Sequence, residues 1–172
     1  NTGFVMTSPD GIVWTDRPTP AADNWHCVAW GAGLFVALGG GFASTGTDML
    51  MTSPDGITWT IQTPFGNQTF EAVTFAGGQF VAVGIGELTE NLLRVATSPD
   101  GLTWTPRTTT ARDWWAIAYG DGLYVMCAND NPMDGSKAVA TSRDAITWTE
   151  RGSDVYPINC RGIAWNGGTL TG

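Results

Sequence analysis

The chain has 172 residues, 42% of them hydrophobic and 14% charged, which suits one globular domain and excludes a disordered acidic segment. Its formal net charge is −8 with a single lysine, so we expect no binding to nucleic acid or to anionic membrane surfaces. No apolar run approaches the length of a membrane span.

The first predicted hairpin is centred on residues 8–14, Ser-Pro-Asp-Gly-Ile-Val-Trp, and closely similar stretches follow three times. These copies lie at residues 53–59, 98–104 and 142–148, so that successive tryptophans are 45, 45 and 44 residues apart. A constant period in this range is typical of propellers, solenoids and arrays. The repeat therefore predicts the fold more strongly than any other feature of the chain.

Each copy carries the residues of a type I turn in the order that this turn favours. Ser and Asp bond nearby backbone groups, Pro fixes φ at the second position, and Gly follows in a left-handed conformation. A type I turn with a left-handed Gly is a common three-residue hairpin loop. In the fourth copy Ala145 replaces Gly, which predicts either Ala at positive φ, costing about 1 kcal/mol, or a different turn.

Four strand patterns can be read in each repeat, and we name them A to D. Strand A ends in an aromatic residue, and its copies span 27–30, 72–75, 116–119 and 162–165. Strand B follows a glycine-bearing turn, and its copies span 34–38, 79–83 and 123–127, with a shorter one at 169–172. Strands C and D flank the Ser-Pro-Asp-Gly turn and are rich in Val, Ile, Thr and Trp, which favour strands. Strand D is expected to begin directly after the turn, for example at Ile57.

The predicted fold class is all-β: a β-propeller of four four-stranded blades, in a single domain over residues 1–172. The chain begins with strands C and D (4–15) and ends with strands A and B (162–172), so one blade is expected to be closed by strands from both termini. A linear solenoid is the alternative, but it needs atypical end caps, which neither end resembles. Two chains in one larger ring, or a longer array of the repeats, stay open.

Three cysteines, Cys27, Cys127 and Cys160, are an odd number without the spacing of a metal site. Cys27 and Cys127 lie in apolar strand patterns, which favours buried thiols. A disulfide is the alternative, because strands that are distant in sequence can be neighbours in space. The oxygen ligands at 130–135 lack the spacing of an EF-hand, so we predict neither a metal site nor a cofactor.

The repeated Ser-Pro-Asp-Gly-x-Thr-Trp resembles the Asp-box (BNR) repeat, Ser-x-Asp-x-Gly-x-Thr-Trp, of sialidases and many other propellers. It is more closely similar to the propeller repeats of phage tail and virion proteins and of some secreted bacterial proteins. It departs from the Asp-box by one residue, since Gly directly follows Asp here. The resemblance covers the whole chain and implies a propeller of extracellular or virion location. It also implies that Asp10, Asp55, Asp100 and Asp144 form turns and lie away from any ligand site.

In a propeller blade, the A–B and C–D turns lie on one face and the B–C and D–A loops on the other. Between the repeats of this chain, the first set of turns is nearly constant. The B–C loops (39–48, 84–91, 128–137) and the D–A loops (18–24, 63–69, 108–113, 152–159) differ. Function tends to reside in loops held by a rigid scaffold, although unconstrained loops also diverge. We therefore expect a ligand, if there is one, at the B–C and D–A loops.

Large side chains end the D–A loops: Trp25, Phe70, Trp114 with Trp115, and Tyr156. Aromatic faces beside carboxylates and arginines, such as Arg112 and Asp113, suit sugar rings. Because Trp25, Phe70 and Trp115 each lie 11 residues after a box tryptophan, they are interpreted as core between blades. Trp114 is the additional aromatic residue and is the better candidate for ligand contact.

His26, Glu71 and Arg161 occupy equivalent places at the start of strand A in three different repeats. Strand A lines the axis of a propeller, so these side chains are expected to form a polar cluster at the mouth of its channel. Such a cluster serves either the structure or a ligand.

These features favour a non-enzymatic module that recognises a glycan or a protein surface, such as a receptor, within a virion or surface assembly. A structural or assembly propeller without a small ligand is the first alternative, and a sialidase-like glycoside hydrolase is the second. A hydrolase needs two placed carboxylates, and the resemblance adds an arginine triad and a Tyr nucleophile. Tyr119 and Tyr124 occupy core positions of the repeat, and only Arg161 lies at an inner-strand place, so no catalytic residue is predicted.

Overall fold

The computed structural model describes residues 3–21, 24–40, 50–65, 68–85, 94–109, 113–128, 139–151 and 160–168, and the backbone of 170–171. Within these ranges the protein is all-β, with sixteen strands and no helix. Accordingly, no described helix has the length and hydropathy that crossing a membrane would require.

Twelve strands form three antiparallel four-stranded meanders. Sheet 1 consists of β3 (Trp25–Gly31), β4 (Leu34–Gly39), β5 (Leu50–Ser53) and β6 (Thr60–Gln62). Sheet 2 consists of β7 (Thr69–Ala76), β8 (Gln79–Ile85), β9 (Val95–Ser98) and β10 (Thr105–Arg107). Sheet 3 consists of β11 (Trp114–Gly120), β12 (Leu123–Ala128), β13 (Val139–Ser142) and β14 (Thr149–Arg151). The predicted four-stranded repeat is thereby confirmed.

The remaining strands form two hairpins, one near each end of the chain. The N-terminal hairpin is β1 (Phe4–Thr7) with β2 (Thr15–Pro18), and the C-terminal hairpin is β15 (Ala164–Trp165) with β16 (Leu170–Thr171). Each hairpin is a two-stranded sheet of its own among the described residues. The arrangement is thus propeller-like, whereas the expected fourth blade shared by both ends is not formed as one sheet.

The repeated turn is held by side chains in the same way in every copy. In sheet 1 the Ser53 hydroxyl donates to Asp55 Oδ1 and accepts the Gly56 N–H, at 2.9 and 2.8 Å. Asp55 Oδ1 also accepts the N–H groups of Ile57 and Thr58, both at 2.8 Å. Because these groups are used inside the turn, strand D begins at Thr60, and the prediction that it begins at Ile57 was wrong. The loop is also longer than the predicted three residues, since residues 53–59 lie between the paired Thr52 and Thr60.

Ala145 adopts the left-handed conformation, with φ 59°, as Gly56 does with φ 73°. The Ala145 N–H donates to Ser142 Oγ at 2.9 Å, so the Ser and Asp bonds of the fourth turn match those of the others. Its Trp148 indole N–H, however, has no hydrogen-bond partner among the described residues, whereas the other three box indoles donate to the carbonyl of the turn glycine. The first of the two alternatives for Ala145 is therefore confirmed.

The hydrophobic core lies between neighbouring sheets. Sheets 1 and 2 enclose Val36, Leu38 and Leu50 of the first and Phe70, Phe80, Ala82 and Ala96 of the second. Sheets 2 and 3 enclose Val81, Val83 and Val95 of the second and Trp114, Tyr124, Met126, Ala128, Ala140 and Ala145 of the third. Burying a large apolar side chain stabilises a fold by about 1.5–3 kcal/mol. The stacking of one sheet on the next is thus the main source of stability.

Glycine allows the closest approach between neighbouring inner strands. A Cβ atom on Gly31 would lie 2.0 Å from Cγ of Phe75, and one on Gly120 would lie 2.2 Å from Cγ of Trp165. In the first three repeats the aromatic residue near the end of the inner strand is followed by a small residue. The aromatic side chain of one repeat therefore packs on the small residue of the repeat before it. Trp30, the first of these aromatics, is 52% exposed, so within the described part of the chain it has no neighbour equivalent to the one that covers Phe75.

Candidate functional site

The inner strands β3, β7 and β11 each begin with a β-bulge, and these bulges place one side chain per repeat at an equivalent register position. The pairing of β3, β7 and β11 with the next strand shifts register between Trp25 and Cys27, Phe70 and Ala72, and Trp114 and Ala116. The residues within these shifts are His26, Glu71 and Trp115. Arg161 precedes Trp165 by four residues, as His26 precedes Trp30, and so completes the set. We call His26, Glu71, Trp115 and Arg161 the bulge tetrad.

The first half of the bulge tetrad is a contact between the His26 imidazole of sheet 1 and the Glu71 carboxyl group of sheet 2. His26 Nδ1 lies 3.1 Å from Glu71 Oε2, with the two side chains 27% and 13% exposed. The predicted proximity of His26 and Glu71 is confirmed.

The second half is a cation–π contact between sheet 3 and the segment before the C-terminal hairpin. The Arg161 guanidinium carbon lies 3.7 Å from the centroid of the Trp115 ring. Such contacts contribute about 0.5–2 kcal/mol, depending on exposure. The Trp115 Nε1–H is buried and has no hydrogen-bond partner among the described residues. Arg161 was expected beside His26 and Glu71, and the structure places it on the indole instead, with no described carboxylate within 4 Å.

Trp114 has a different position from the one that the sequence suggested. The register aligns Trp114, and not Trp115, with Trp25 and Phe70, because the third repeat has one residue fewer between the box tryptophan and strand A. Trp114 is 0% exposed and packs in the core between sheets 2 and 3, so it offers no face to a ligand in this structure. Trp25 is half-buried. Trp115 is thus the member of the bulge tetrad that the sequence analysis missed. Counting four residues back from the aromatic residue of strand A, Tyr119, would have identified it.

Asp113 is paired with Arg94, whose Nη1 lies 2.6 Å from Asp113 Oδ1. This pair joins the end of one B–C loop to the end of the next D–A loop. Tyr156 and Arg112 lie outside the described residues, as do residues 41–49, 86–93 and 129–138 of the B–C loops.

The four box carboxylates are engaged with the backbone of their own turns. Hydrogen bonds from the N–H groups of Thr147 and Ile146 lower the pKa of Asp144 to about 2. Backbone hydrogen bonds likewise hold the pKa values of Asp10, Asp55 and Asp100 below the ordinary range. These aspartates act as turn formers, and the described residues contain no group of three metal-ligating side chains.

Two of the cysteines form a disulfide, Cys127–Cys160, so the interpretation of Cys127 as a buried thiol was wrong and the alternative holds. Cys27 is a free thiol, and burial raises its pKa to about 12. The reason for the difference is position. Cys127 and Cys160 face each other between sheet 3 and the C-terminal segment, where they pack with Ala116.

The chain matches no protein-family model, and no curated protein shows significant sequence similarity to it.

Proposed function

We propose that this protein is a non-enzymatic binding module that recognises a glycan, or a sugar-bearing protein surface, at the ends of the inner strands. The bulge tetrad is the observation that carries this proposal. Equivalent positions in the repeats hold an imidazole, a carboxylate, an indole and a guanidinium, whereas in the first three repeats the residue before this position is always aromatic and the residue after it is always small. A scaffold with no ligand to bind needs no such difference at one position per repeat. Bulges such as those of β3, β7 and β11 are common where a side chain must be directed at a site.

The chemistry of the tetrad suits a polar ligand with an apolar face. Arg161 is exposed and presents N–H donors, Glu71 and His26 supply a carboxyl group and a ring nitrogen, and Trp115 supplies an aromatic surface beneath Arg161. Sugars bury their C–H faces on aromatic rings and bond their hydroxyls to such groups. The resemblance to virion and secreted propellers, together with a disulfide, supports an extracellular or virion location for this module.

A glycan-array screen of the purified chain tests the function, followed by titration of any ligand that binds. Arg161→Ala and Glu71→Gln are expected to weaken binding about tenfold or more, since each removes a charge-assisted hydrogen bond. Arg143→Ala is the matched control, because Arg143 is an exposed arginine of the fourth box turn at the other end of its sheet. If both arginine variants bind as the wild type does, the tetrad is not the binding site.

We propose further that the two terminal hairpins together make the fourth blade of a closed ring. The outer face of sheet 1 supports closure, because Val28 and Trp30 are 58% and 52% exposed there. Their equivalents Val73 and Phe75 pack against the core between sheets 1 and 2. Phe4 and Met6 of the N-terminal hairpin are likewise exposed. An interface of the kind that joins the other sheets would cover these residues.

Trp30→Lys tests this arrangement. In a closed ring the change places a charge in an inter-sheet interface and is expected to lower the free energy of unfolding by about 2 kcal/mol. Ile12→Lys, at an exposed turn position, is the control and is expected to have little effect. If Trp30→Lys is destabilising, light scattering shows which chain covers the outer face of sheet 1. A mass of one chain means that the chain's own terminal hairpin closes the ring. A mass of two chains favours the assembly module, in which a second copy covers sheet 1.

A further inference from the structure

The same inter-sheet contact recurs three times and is covalent only once. Between sheets 1 and 2, Leu38 and Phe70 belong to one buried cluster, and between sheets 2 and 3, Val83 and Trp114 belong to another. Cys127 occupies the register position of Leu38 and Val83, opposite Ala116 on the inner strand. Cys160 precedes its strand aromatic by five residues, as Phe70 and Trp114 precede theirs. At the third interface, therefore, an aliphatic–aromatic contact is replaced by the Cys127–Cys160 disulfide.

The replacement compensates for a small interface. Phe70 and Trp114 are fully buried and are among the largest core side chains, whereas the described residues buried at the third interface are Ala116 and the two cysteines, with Val139 and Ile163 partly buried beside them. The strands of the C-terminal hairpin have two residues each, against seven or eight in β7 and β11. So little apolar area gives weak attachment by packing alone. A covalent link holds the segment regardless of the area buried.

Arg161 directly follows Cys160 in the chain, and the contact of its guanidinium with Trp115 depends on where that segment lies. We propose that the Cys127–Cys160 disulfide is a positioning element for the bulge tetrad, since it fixes residues 160–168 against sheet 3 and so keeps Arg161 over Trp115. Its role in ligand recognition rests on the function proposed above, but the positioning itself can be measured without a ligand.

Reduction by a dithiol is the means of testing it. The dithiol transfers two electrons and two protons, so that the S–S bond gives two thiols and the reductant becomes a cyclic disulfide. We expect hydrogen exchange of residues 160–168 to rise about tenfold or more on reduction, because this segment then opens locally. Exchange in β7 and β8 is expected to stay unchanged. The indole N–H resonance of Trp115 should shift in the same direction as in Arg161→Ala, while that of Trp25 stays in place.

Two double variants make the test specific. Cys127→Ala with Cys160→Ala should reproduce the reduced state. Cys127→Val with Cys160→Trp transplants the pair that joins sheets 2 and 3, and it should restore slow exchange and the Trp115 resonance whether or not dithiol is present. Cys27→Ala controls for the free thiol and should respond to dithiol as the wild type does.

The proposal is overturned if reduction and the double alanine variant leave both the exchange of 160–168 and the Trp115 resonance unchanged. It is also overturned if exchange rises equally in all three sheets, because the disulfide would then stabilise the whole domain and not position one segment. Should the Val–Trp variant fail to fold, reduction and the double alanine variant decide by themselves. Success here with no binding on the glycan array would defeat the proposed function alone.

Discussion

Two interfaces of the molecule follow the same plan but differ in strength: sheet 1 on sheet 2, and sheet 3 on the C-terminal hairpin. In both, an aromatic side chain lies on a glycine, Phe75 on Gly31 and Trp165 on Gly120. Around the first pair, Val36, Leu38 and Phe80 are fully buried, whereas the described residues that are buried at the second interface are Ala116 and the two disulfide cysteines. The repeated sequence thus determines the geometry of each interface. The amount of apolar surface that an interface buries determines how much that interface contributes to the stability of the whole protein.

The box turns show the same separation between local geometry and packing. The Trp14 indole N–H donates to the Gly11 carbonyl at 3.2 Å, and that of Trp104 donates to Gly101 at 3.0 Å. Trp104 packs in the core between sheets 1 and 2, whereas Trp14, in the N-terminal hairpin, is exposed. The local bonds of the turn therefore form without a neighbouring sheet, and only burial of the indole requires one.

The largest expected effect on the free energy of unfolding comes from replacing the glycines at these two interfaces by alanine. Gly31→Ala places a methyl group inside the Phe75 ring, and overpacking of this kind is expected to lower the free energy of unfolding by about 3 kcal/mol. Gly120→Ala makes a similar clash with Trp165, but fewer described side chains are buried at this interface, so less packing is lost and we expect a loss below about 1 kcal/mol in urea denaturation. Gly162→Ala, with no atom within 4 Å of the new methyl group, is the control. Equal losses at Gly31 and Gly120 would contradict the difference in strength.

A smaller effect is expected when the serine of a box turn is replaced by alanine, and its size should differ between the turn of sheet 1 and the turn of the N-terminal hairpin. Ser53 is fully buried, and Ser53→Ala leaves the buried Gly56 N–H without its acceptor, which should cost about 2 kcal/mol. Ser8 makes the same bond to Gly11 at 2.8 Å in an exposed turn, so water replaces it and Ser8→Ala should cost less than about 0.5 kcal/mol. Urea midpoints of the two variants provide the measurement. A larger loss for Ser8→Ala would show that the N-terminal hairpin is buried in solution.

The sequence predicts much of this architecture because every repeat carries the same kinds of residues at the same places, and these residues form the same strands and turns. Alternating apolar residues, a Ser-Pro-Asp-Gly turn and a left-handed Gly lead to the same meander each time, and even Ala145 follows the others. The start of strand D was not predictable from β propensity, since Asp55 takes the N–H groups of Ile57 and Thr58 that a ladder would need. Local bonds to a side chain compete with strand pairing in this way.

The candidate site could be predicted only in part. His26 and Glu71 were found because their repeats have the same length between turn and strand, whereas Trp114 and Trp115 were exchanged by a one-residue shortening of the third loop. A shift of one residue in a strand moves a side chain to the other face of the sheet, so one indole became core and the other part of the tetrad. The disulfide depends on contact between sheets, which spacing along the chain does not encode.

Acid should weaken the box turns. The folded-state pKa of Asp144 is about 2, below the value of about 3.9 for an unfolded Asp, so its stabilising contribution is present above pH 4. That contribution is lost as the pH falls from about 4 through 2, because the protonated carboxyl no longer accepts the turn's N–H groups as strongly. Thermal denaturation between pH 6 and 2 should show a falling melting temperature, and Asp144→Asn should flatten part of the fall. An unchanged profile in this variant would argue against the contribution.

The smallest effect is expected at the A–B turns. There the cost of a strained backbone can be measured separately from the contribution of packing against the neighbouring sheet. Ala32 has φ 49° and an exposed side chain, and Gly77 occupies the equivalent place in sheet 2 with φ 58°. A non-glycine residue in this region is strained by about 1 kcal/mol, while glycine loses more chain entropy on folding, so Ala32→Gly should stabilise the protein by about 0.5 kcal/mol. Gly77→Ala tests the reverse change where a neighbour is present, since its methyl group would lie 2.8 Å from the Tyr124 hydroxyl oxygen. That variant should be destabilised by more than turn strain alone explains. If both changes were equal and opposite in urea, strain would account for everything at this turn and the packing of sheet 3 on sheet 2 would add nothing there.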